Sequence, residues 1–345
     1  MFKVPPLPRT LSAALRDARA KKLEVRISAV RDLARLATGS DREVALGALV
    51  RSLGEDAEPR VRAEAALALA DAQAREHIAA LLDAAQDDAP WVQQMAVLAL
   101  GEVSSRRDET AYQTLVRALQ HDLPAMRFQA LIALARVDGD QPARHLSRGF
   151  EDSDAEVRYV AIRLTEERWI ERKGGNSLPS ELARRVRTSL RDGEAKVRLA
   201  AAILLAKSGD LSGVDAIVAA VDRGEGAEEL EDAQAAVELA GRLGLKAARR
   251  GLTRRAWGRF GILQDPCSFQ ARIALAQLGD LRAVQSIIRD LSAWSRDTRT
   301  LAVVAAGRAG LADATRLIRA MRGDARRADP EAVDEALAAL QRVEE

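Results

Sequence analysis

The chain has 345 residues, of which 48% are hydrophobic but only 3% aromatic, and its 53 basic and 51 acidic residues give a formal net charge of +2. This balance excludes an overall electrostatic preference for nucleic acid or an anionic membrane. The single cysteine, Cys267, excludes an internal disulfide and a multi-cysteine metal site, and we expect it to be a buried core thiol.

The chain begins with a proline-rich arm, residues 1–9. Pro5, Pro6 and Pro8 favour an extended backbone there. We expect the arm to cover the exposed core of the first repeat, with a docking peptide for another protein as the alternative. The arm lacks the apolar stretch of a signal peptide, and no apolar run reaches the roughly 18 residues of a membrane span, so a cytoplasmic protein is predicted.

From residue 10 onward one helical pattern recurs. Each copy has a usually apolar anchor position, a mostly polar residue directly after it, and an alanine four residues after it. The anchors are Val25, Val61, Val92, Met126, Val157, Val197, Asp232, Cys267, Thr298 and Ala332. Successive anchors are 31 to 40 residues apart. A helical repeat of this length predicts a solenoid.

Three copies also place an aspartate five residues before the anchor and an arginine directly after it. These pairs are Asp56 and Arg62, Asp152 and Arg158, and Asp192 and Arg198. The pattern resembles the HEAT repeat, in particular the short bacterial form that is also found in phycobilisome lyase-like proteins. The resemblance implies two antiparallel helices in each repeat and an Asp–Arg ladder between repeats. Gln93 and Ser268 replace the arginine in the third and eighth copies, and no arginine follows Asp232 in the seventh, so we expect the ladder to be interrupted in these three copies.

The predicted fold is therefore all-α: a right-handed α-α superhelix of about ten helical hairpins, with the second helices on a concave face. We expect a single continuous solenoid over residues 10–345. The spacing of 40 residues before Val197 predicts a loop insertion at residues 171–180. Residues 222–264 are charge-segregated, because an acidic stretch that ends at Asp232 precedes a basic stretch that ends at Arg259.

One candidate protein-binding site lies on the predicted concave face. Side chains two and six residues after an anchor point away from the core face of a helix. In the fourth to sixth repeats these positions carry an apolar or aromatic stripe with one arginine. The stripe consists of Phe128, Ile132, Tyr159, Arg163, Leu199 and Ile203. Such a patch is typical of a protein-recognition surface, and the alternative is that part of it packs under the neighbouring helix.

A second candidate site is basic. It consists of Arg249, Arg250, Arg254, Arg255, Trp257 and Arg259. Three interpretations stay open: a structural role in which the neighbouring acidic stretch neutralises the arginines, binding of an acidic protein surface, and binding of nucleic acid by phosphate contacts and stacking.

The sequence contains no nucleotide-binding, metalloprotease or hydrolase motif, and its three histidines lack metal-ligand spacing, so we expect them to be solvated or capping residues. We therefore predict a non-enzymatic scaffold, adaptor or regulatory protein that binds a partner protein and has no cofactor or metal. The resemblance to HEAT proteins permits a role in signalling or small-GTPase-regulated assemblies. The alternatives are a DNA-binding or glycosylase-like protein and a bilin lyase-like protein.

Overall fold

The computed structural model describes residues 9–138, 143–172, 178–258 and 265–344, and their regular secondary structure is entirely helical. The contacts divide the chain into two compact units, Met1–Arg168 and Trp169–Glu345, which contain five helical hairpins each. Repeats of a solenoid contact only their neighbours, so such a division is expected of any long array. The single solenoid over residues 10–345 therefore stays a prediction, while the all-α solenoid class is confirmed.

In the first unit, each hairpin pairs a first helix with a second helix that carries the anchor. The first helices are α1 (Leu11–Asp17), α3 (Arg42–Glu55), α5 (Ile78–Ala84), α7 (Glu109–Ala118) and α9 (Ala143–Gly149). The second helices are α2 (Leu23–Leu36), α4 (Pro59–Asp71), α6 (Pro90–Val103), α8 (Pro124–Val137) and α10 (Ala155–Glu166). A π-helix, Glu167–Arg172, follows α10.

The second unit repeats this order. Its first helices are α11 (Ser180–Ser189), α13 (Val214–Arg223), α15 (Arg249–Trp257), α17 (Leu281–Asp290) and α19 (Thr315–Arg319). Its second helices are α12 (Ala195–Lys207), α14 (Leu230–Arg242), α16 (Ser268–Gln277), α18 (Arg296–Ala309) and α20 (Pro330–Glu344). Four second helices of the chain begin with a proline, a position where the missing amide hydrogen removes no helical bond.

The repeated alanines lie where the helices pack most closely. Every alanine four residues after an anchor is at most 4% exposed. These residues are Ala29, Ala65, Ala96, Ala130, Ala161, Ala201, Ala236, Ala271, Ala302 and Ala336. A larger side chain at these positions would separate helices that are in contact. The repeat pattern therefore marks the core of each hairpin.

Two predicted segments fall partly outside the described residues. Residues 1–8 of the arm and 173–177 of the predicted insertion are among those that the structure does not describe. The last residue of the arm, Arg9, donates to Asp17 at 2.9 Å, to Ser28 at 2.8 Å and to Asp32 at 2.7 Å. This end of the arm is therefore attached to the first hairpin.

Candidate protein-binding surface

The second helices of the first unit pack side by side and in register. Glu102 on α6 and Arg136 on α8 each lie ten residues after their anchors, and they form an ion pair. Gly101 approaches α8 so closely that a Cβ atom there would lie 2.5 Å from the Cβ of Ala133. Side chains at the same offset from their anchors are therefore neighbours on this face.

The predicted inter-repeat ladder is present. Arg62 donates to both oxygens of Asp87 in the next repeat, at 2.8 and 2.7 Å, and to the carbonyl oxygen of Asp56 in its own turn, at 2.9 Å. Arg127 donates in the same way to Asp152, at 2.8 and 2.7 Å. Burial opposes the ionisation of Asp152, but the bonds from Arg127 and from a backbone amide outweigh it and hold the pKa of this carboxyl below its ordinary value.

The ladder is interrupted between the third and fourth repeats, as the sequence predicts. Gln93 donates to the carbonyl oxygen of Asp87 in its own turn at 2.6 Å. The next repeat has His121 where other repeats have an aspartate, and its Nδ1 accepts from the amide of Leu123 at 3.0 Å. An imidazole that accepts this bond offers no anionic oxygen to an arginine. The replacements at positions 93 and 121 therefore compensate each other.

Four residues of the predicted protein-binding stripe are half-buried on the second helices of the first unit. Phe128 and Ile132 lie on α8, and Tyr159 and Arg163 lie on α10, which packs against α8. Arg163 donates to Glu166 at 2.5 Å and keeps 26% of its side chain exposed. These four side chains thus retain accessible surface on two adjacent helices.

Two leucines outside the predicted stripe extend this surface. Leu67 on α4 and Leu98 on α6 are half-buried, and each lies six residues after its anchor, as Ile132 does. Their repeats carry Ala63 and Gln94 two residues after the anchor, so a search for an apolar or aromatic residue at that position passes over them. The offset of six alone would have found both leucines. We define the apolar row as Leu67, Leu98, Phe128 and Ile132.

The prediction that Leu199 and Ile203 are surface contacts is wrong. Both side chains lie on α12 and have no exposed area, within the hydrophobic core of the second unit. The position of a residue relative to the anchor predicts an exposed side chain only if one side of the helix is polar. Helix α12 is apolar around its circumference from Leu199 to Ala206, and a helix segment of this kind is buried on all sides.

Two arginines of the predicted basic site bind the end of a neighbouring helix. Arg255 donates to the carbonyl oxygens of Ala220 at 3.1 Å and Val221 at 3.0 Å. Arg254 donates to the carbonyl oxygen of Asp222. These carbonyls lie in the last turn of α13, where most acceptors have no partner within the helix, although that of Ala220 also accepts from the amide of Gly224 at 2.9 Å. The two side chains thus cap α13, which is a structural role.

Arg249 and Arg250 differ although they are adjacent. Arg249 donates to the carbonyl oxygen of Leu278 at 2.7 Å and to Asp280 at 3.3 Å. Arg250 is exposed and pairs with no residue in the described part of the chain. Only one of these two charges is therefore free to attract a ligand.

The ring of Trp257 lies under a guanidinium group. The Cζ atom of Arg282 is 4.2 Å from the ring centroid, a cation–π contact that covers one face of the indole. Arg259 lies outside the described residues. The structure therefore brings together Arg249, Arg250, Arg254 and Trp257 along α15. Most of these side chains make contacts within the protein.

A buried polar cluster was not predicted. Tyr112 Oη and His145 Nε2 are 2.9 Å apart, and the same nitrogen lies 3.5 Å from Oδ2 of Asp138. Burial lowers the pKa of His145, and burial together with the Asp138 carboxylate raises the pKa of Tyr112. The expectation of solvated or capping histidines is correct for His121 but wrong for His145, which is 7% exposed.

Cys267 is buried, as predicted, and burial raises the pKa of its thiol, which disfavours the reactive thiolate. In the ranges that the structure describes, no group of three or more His, Cys, Asp and Glu side chains could hold a metal ion. Over the same ranges, no helix has both the length and the hydrophobicity needed to cross a membrane.

The first half of the chain matches a known family. Residues 8–101, 47–122 and 78–165 each match the model of the family described as HEAT repeats. No curated protein matches the chain.

Several solved structures align with the chain at low sequence identity. Importin beta aligns with 95% of this chain over 50% of its own length, at 15% identity and a TM-score of 0.52. YibA of E. coli aligns with 94% of this chain and 98% of its own, at 15% identity and a TM-score of 0.47. The complex of CpcE and CpcF of phycocyanin lyase from Nostoc sp. PCC7120 aligns with 73% of this chain, at 16% identity and a TM-score of 0.43. The family match shows HEAT repeats in residues 8–165, and the ladder and the helical hairpins of this part of the chain agree with it.

Proposed function

We propose that this protein is a non-enzymatic scaffold or adaptor that binds a partner protein through the apolar row of the first unit. The observation that carries the proposal is the position of Leu67, Leu98 and Ile132 at one offset on three adjacent helices, each with accessible surface. Contiguous accessible apolar surface is typical of protein-interaction sites.

The setting of the apolar row favours recognition. Phe128 widens the row, and Tyr159 and Arg163 lie on the next helix, which gives the aromatic and arginine content common in binding hot spots. The side chains project from packed helices, so binding orders little additional backbone. The affinity for the partner protein then depends on how well the two surfaces match in shape and on how much apolar surface the complex buries.

The ionisable groups support a role without catalysis. The lowered pKa values of Asp87 and Asp152 arise in ladder ion pairs, and Asp108 has a lowered pKa because it accepts hydrogen bonds from the amide and hydroxyl of Ser105. These carboxylates hold turns together and are ionised near neutral pH. A general acid or base would instead need a pKa near the working pH.

More specific proposals concern the class of the partner molecule. Kap95p, whose structure is described with RanGDP, shares the fold at 13% identity and a TM-score of 0.51, and this likeness does not transfer its partner. A signalling or small-GTPase-regulated assembly stays a proposal for direct binding tests. Nucleic acid is the less favoured ligand, because Arg249, Arg254 and Arg255 donate to protein carbonyls.

The proposal is tested by capturing partners from a lysate of the source cells with the full chain and with a Phe128→Ser, Ile132→Ser variant, and then titrating the captured protein after purification. We expect the variant to bind it at least tenfold more weakly, because truncation of central apolar contacts costs about 1–2 kcal/mol each. Nuclease treatment should leave capture unchanged.

The matched control is Leu281→Ser, Leu301→Ser, which removes two leucines that are 73% and 52% exposed in the second unit. Thermal unfolding checks that both variants fold. Equal affinity of the two variants, or capture that nuclease abolishes, would show that the apolar row is not the binding surface.

A further inference from the structure

The second helices of the second unit line a cavity of about 400 Å³. Its floor consists of Ile273 and Ala274 on α16, which are both buried. Gln270 and Gln277 from the same helix form its walls. The cavity therefore combines an apolar floor with amide groups, a composition typical of a small ligand site.

One wall is fixed by close helix packing. Gln277 Nε2 donates to the carbonyl oxygen of Arg308 on α18 at 2.8 Å. On the other side, a Cβ atom at Gly241 of α14 would lie 2.2 Å from Gln277 Oε1 and 2.6 Å from the Cα of Ala274. Helices α14, α16 and α18 are thus packed closely around Gln277.

The rim of the cavity is charged and poorly paired. It consists of Glu238 and Arg242 on α14 and Arg308 on α18. Arg308 Nη1 and Glu238 Oε1 form an ion pair at 3.7 Å, a distance too long for a hydrogen bond. Arg242 forms no hydrogen bond or ion pair with any residue that the structure describes. Two guanidinium groups at one opening therefore lack a hydrogen-bonded acceptor, unlike those of the ladder arginines.

A polar atom in the wall also lacks a partner. Oε1 of Gln270 is buried and accepts no hydrogen bond from the part of the chain that the structure describes. Because this oxygen has almost no accessible surface, a ligand in the cavity would contact other atoms of the Gln270 side chain. The cavity therefore offers two arginines without a hydrogen-bonded acceptor at its rim.

We propose that this cavity binds a carboxylate group of a peptide. Arg242 and Arg308 would donate to the carboxylate, the preferred partner of paired guanidinium N–H groups. The aliphatic stem that carries the carboxylate would lie against Ile273, which keeps some accessible surface. This site goes beyond the apolar row, since it belongs to the second unit and recognises one charged group.

The test uses the full chain with labelled isoleucine methyl groups and follows the methyl resonance of Ile273 by NMR. The probes are a short peptide with blocked ends and a central glutamate, the same peptide with glutamine, and the glutamine peptide with a free C-terminal carboxylate. We expect saturable shifts with a carboxylate peptide and a Kd roughly tenfold or more below that of the neutral peptide. Response to the first or the third peptide identifies a side-chain or a terminal carboxylate.

An Arg242→Gln, Arg308→Gln variant should lose this binding. Arg316→Gln, Arg319→Gln is the control, because it removes the same charge from two exposed arginines on α19 of the same unit. Equal shifts with all three peptides, no shift at Ile273, or wild-type binding by the first variant would overturn the proposal. The readout lies at the cavity, so failure of the apolar row as a protein-binding surface would leave this result unaffected.

Discussion

The two units are built from the same helical hairpins, but their second helices present different chemistry. In the first unit, the side chains six residues after the anchor include Leu67, Leu98 and Ile132. In the second unit, the same offset carries the charged Glu238 on α14, the buried Ile203 and Ile273 on α12 and α16, and the half-buried Val304 on α18. The repeat fixes the direction of a side chain, whereas the residue type and the neighbouring helices decide whether that position forms an accessible apolar surface, a charged one or part of the core.

The joints between repeats differ as well. Arg127 reaches Asp152 of the next repeat, and both side chains are 12% exposed, whereas Gln93 and His121 at the equivalent positions each bond within their own turn. Both joints keep the bond from the residue after the anchor to its own turn. Only the inter-repeat bond is therefore optional. The predictions that follow break or restore these differences.

The largest expected effect is the loss of a ladder arginine. Arg127→Ala should lower the free energy of unfolding by about 3 kcal/mol, because Asp152 stays buried without its counter-ion. Urea denaturation measures the change. The control Arg184→Ala removes an exposed pair with Glu181 and should change stability by less than about 1 kcal/mol. Similar losses in both variants would contradict the structural role of the ladder.

The ladder also predicts how stability depends on pH. The pKa of Asp152 is lower in the folded protein than in the unfolded chain, so its ionised form stabilises the fold. This contribution should be complete above about pH 4, the unfolded pKa, and should disappear as the pH falls through the folded pKa. Stability measured from pH 7 to pH 3 should fall less steeply for Arg127→Ala than for the wild type.

Close helix contacts should be equally sensitive in both units. Gly101→Ala in the first unit and Gly241→Ala in the second should each lower the free energy of unfolding by about 1–3 kcal/mol, because the new methyl group meets Ala133 or Ala274. A Cβ atom at Gly47 in α3 would have no neighbour within 4 Å, so Gly47→Ala should be neutral or stabilising by up to about 1 kcal/mol. Urea denaturation compares the three variants. A loss at position 47 as large as at 101 would argue against the packing explanation.

The interrupted joint can be rebuilt. Gln93→Arg or His121→Asp alone should not stabilise the protein, since each creates half of an ion pair. The double variant should show a favourable coupling of about 1–2 kcal/mol in a double-mutant cycle of urea denaturation. Additive effects would mean that the two positions do not face each other.

The smallest expected effect separates the two surfaces by their response to salt. Raising NaCl from about 0.1 to about 0.5 M should weaken peptide binding at Arg242 and Arg308 several-fold, because exposed charges are screened. Partner binding by the apolar row should change little or become slightly tighter. Titrations of both ligands at the two salt concentrations check this, and an identical salt dependence would contradict the distinction.

The sequence predicts the features that recur and misses those that depend on one neighbour. The alanines after each anchor and the ladder from Arg62 to Asp87 follow from a pattern repeated along the chain. Arg255 caps Ala220 and Val221, which lie about one repeat away in sequence, and no local sequence pattern predicts this contact. The burial of Leu199 does not follow from the repeat pattern. The position of a residue relative to the anchor gives the direction of its side chain but not which neighbouring elements cover it.

The most direct test of the central claim is photo-crosslinking in the source cells. A photoreactive phenylalanine analogue replaces Leu98 in the apolar row or, as a control, the exposed Leu281 in the second unit. The account predicts one defined cross-linked protein from position 98 and none of it from position 281. No cross-linked product from position 98, or the same product from both positions, would contradict the assignment of the apolar row as the partner-binding surface.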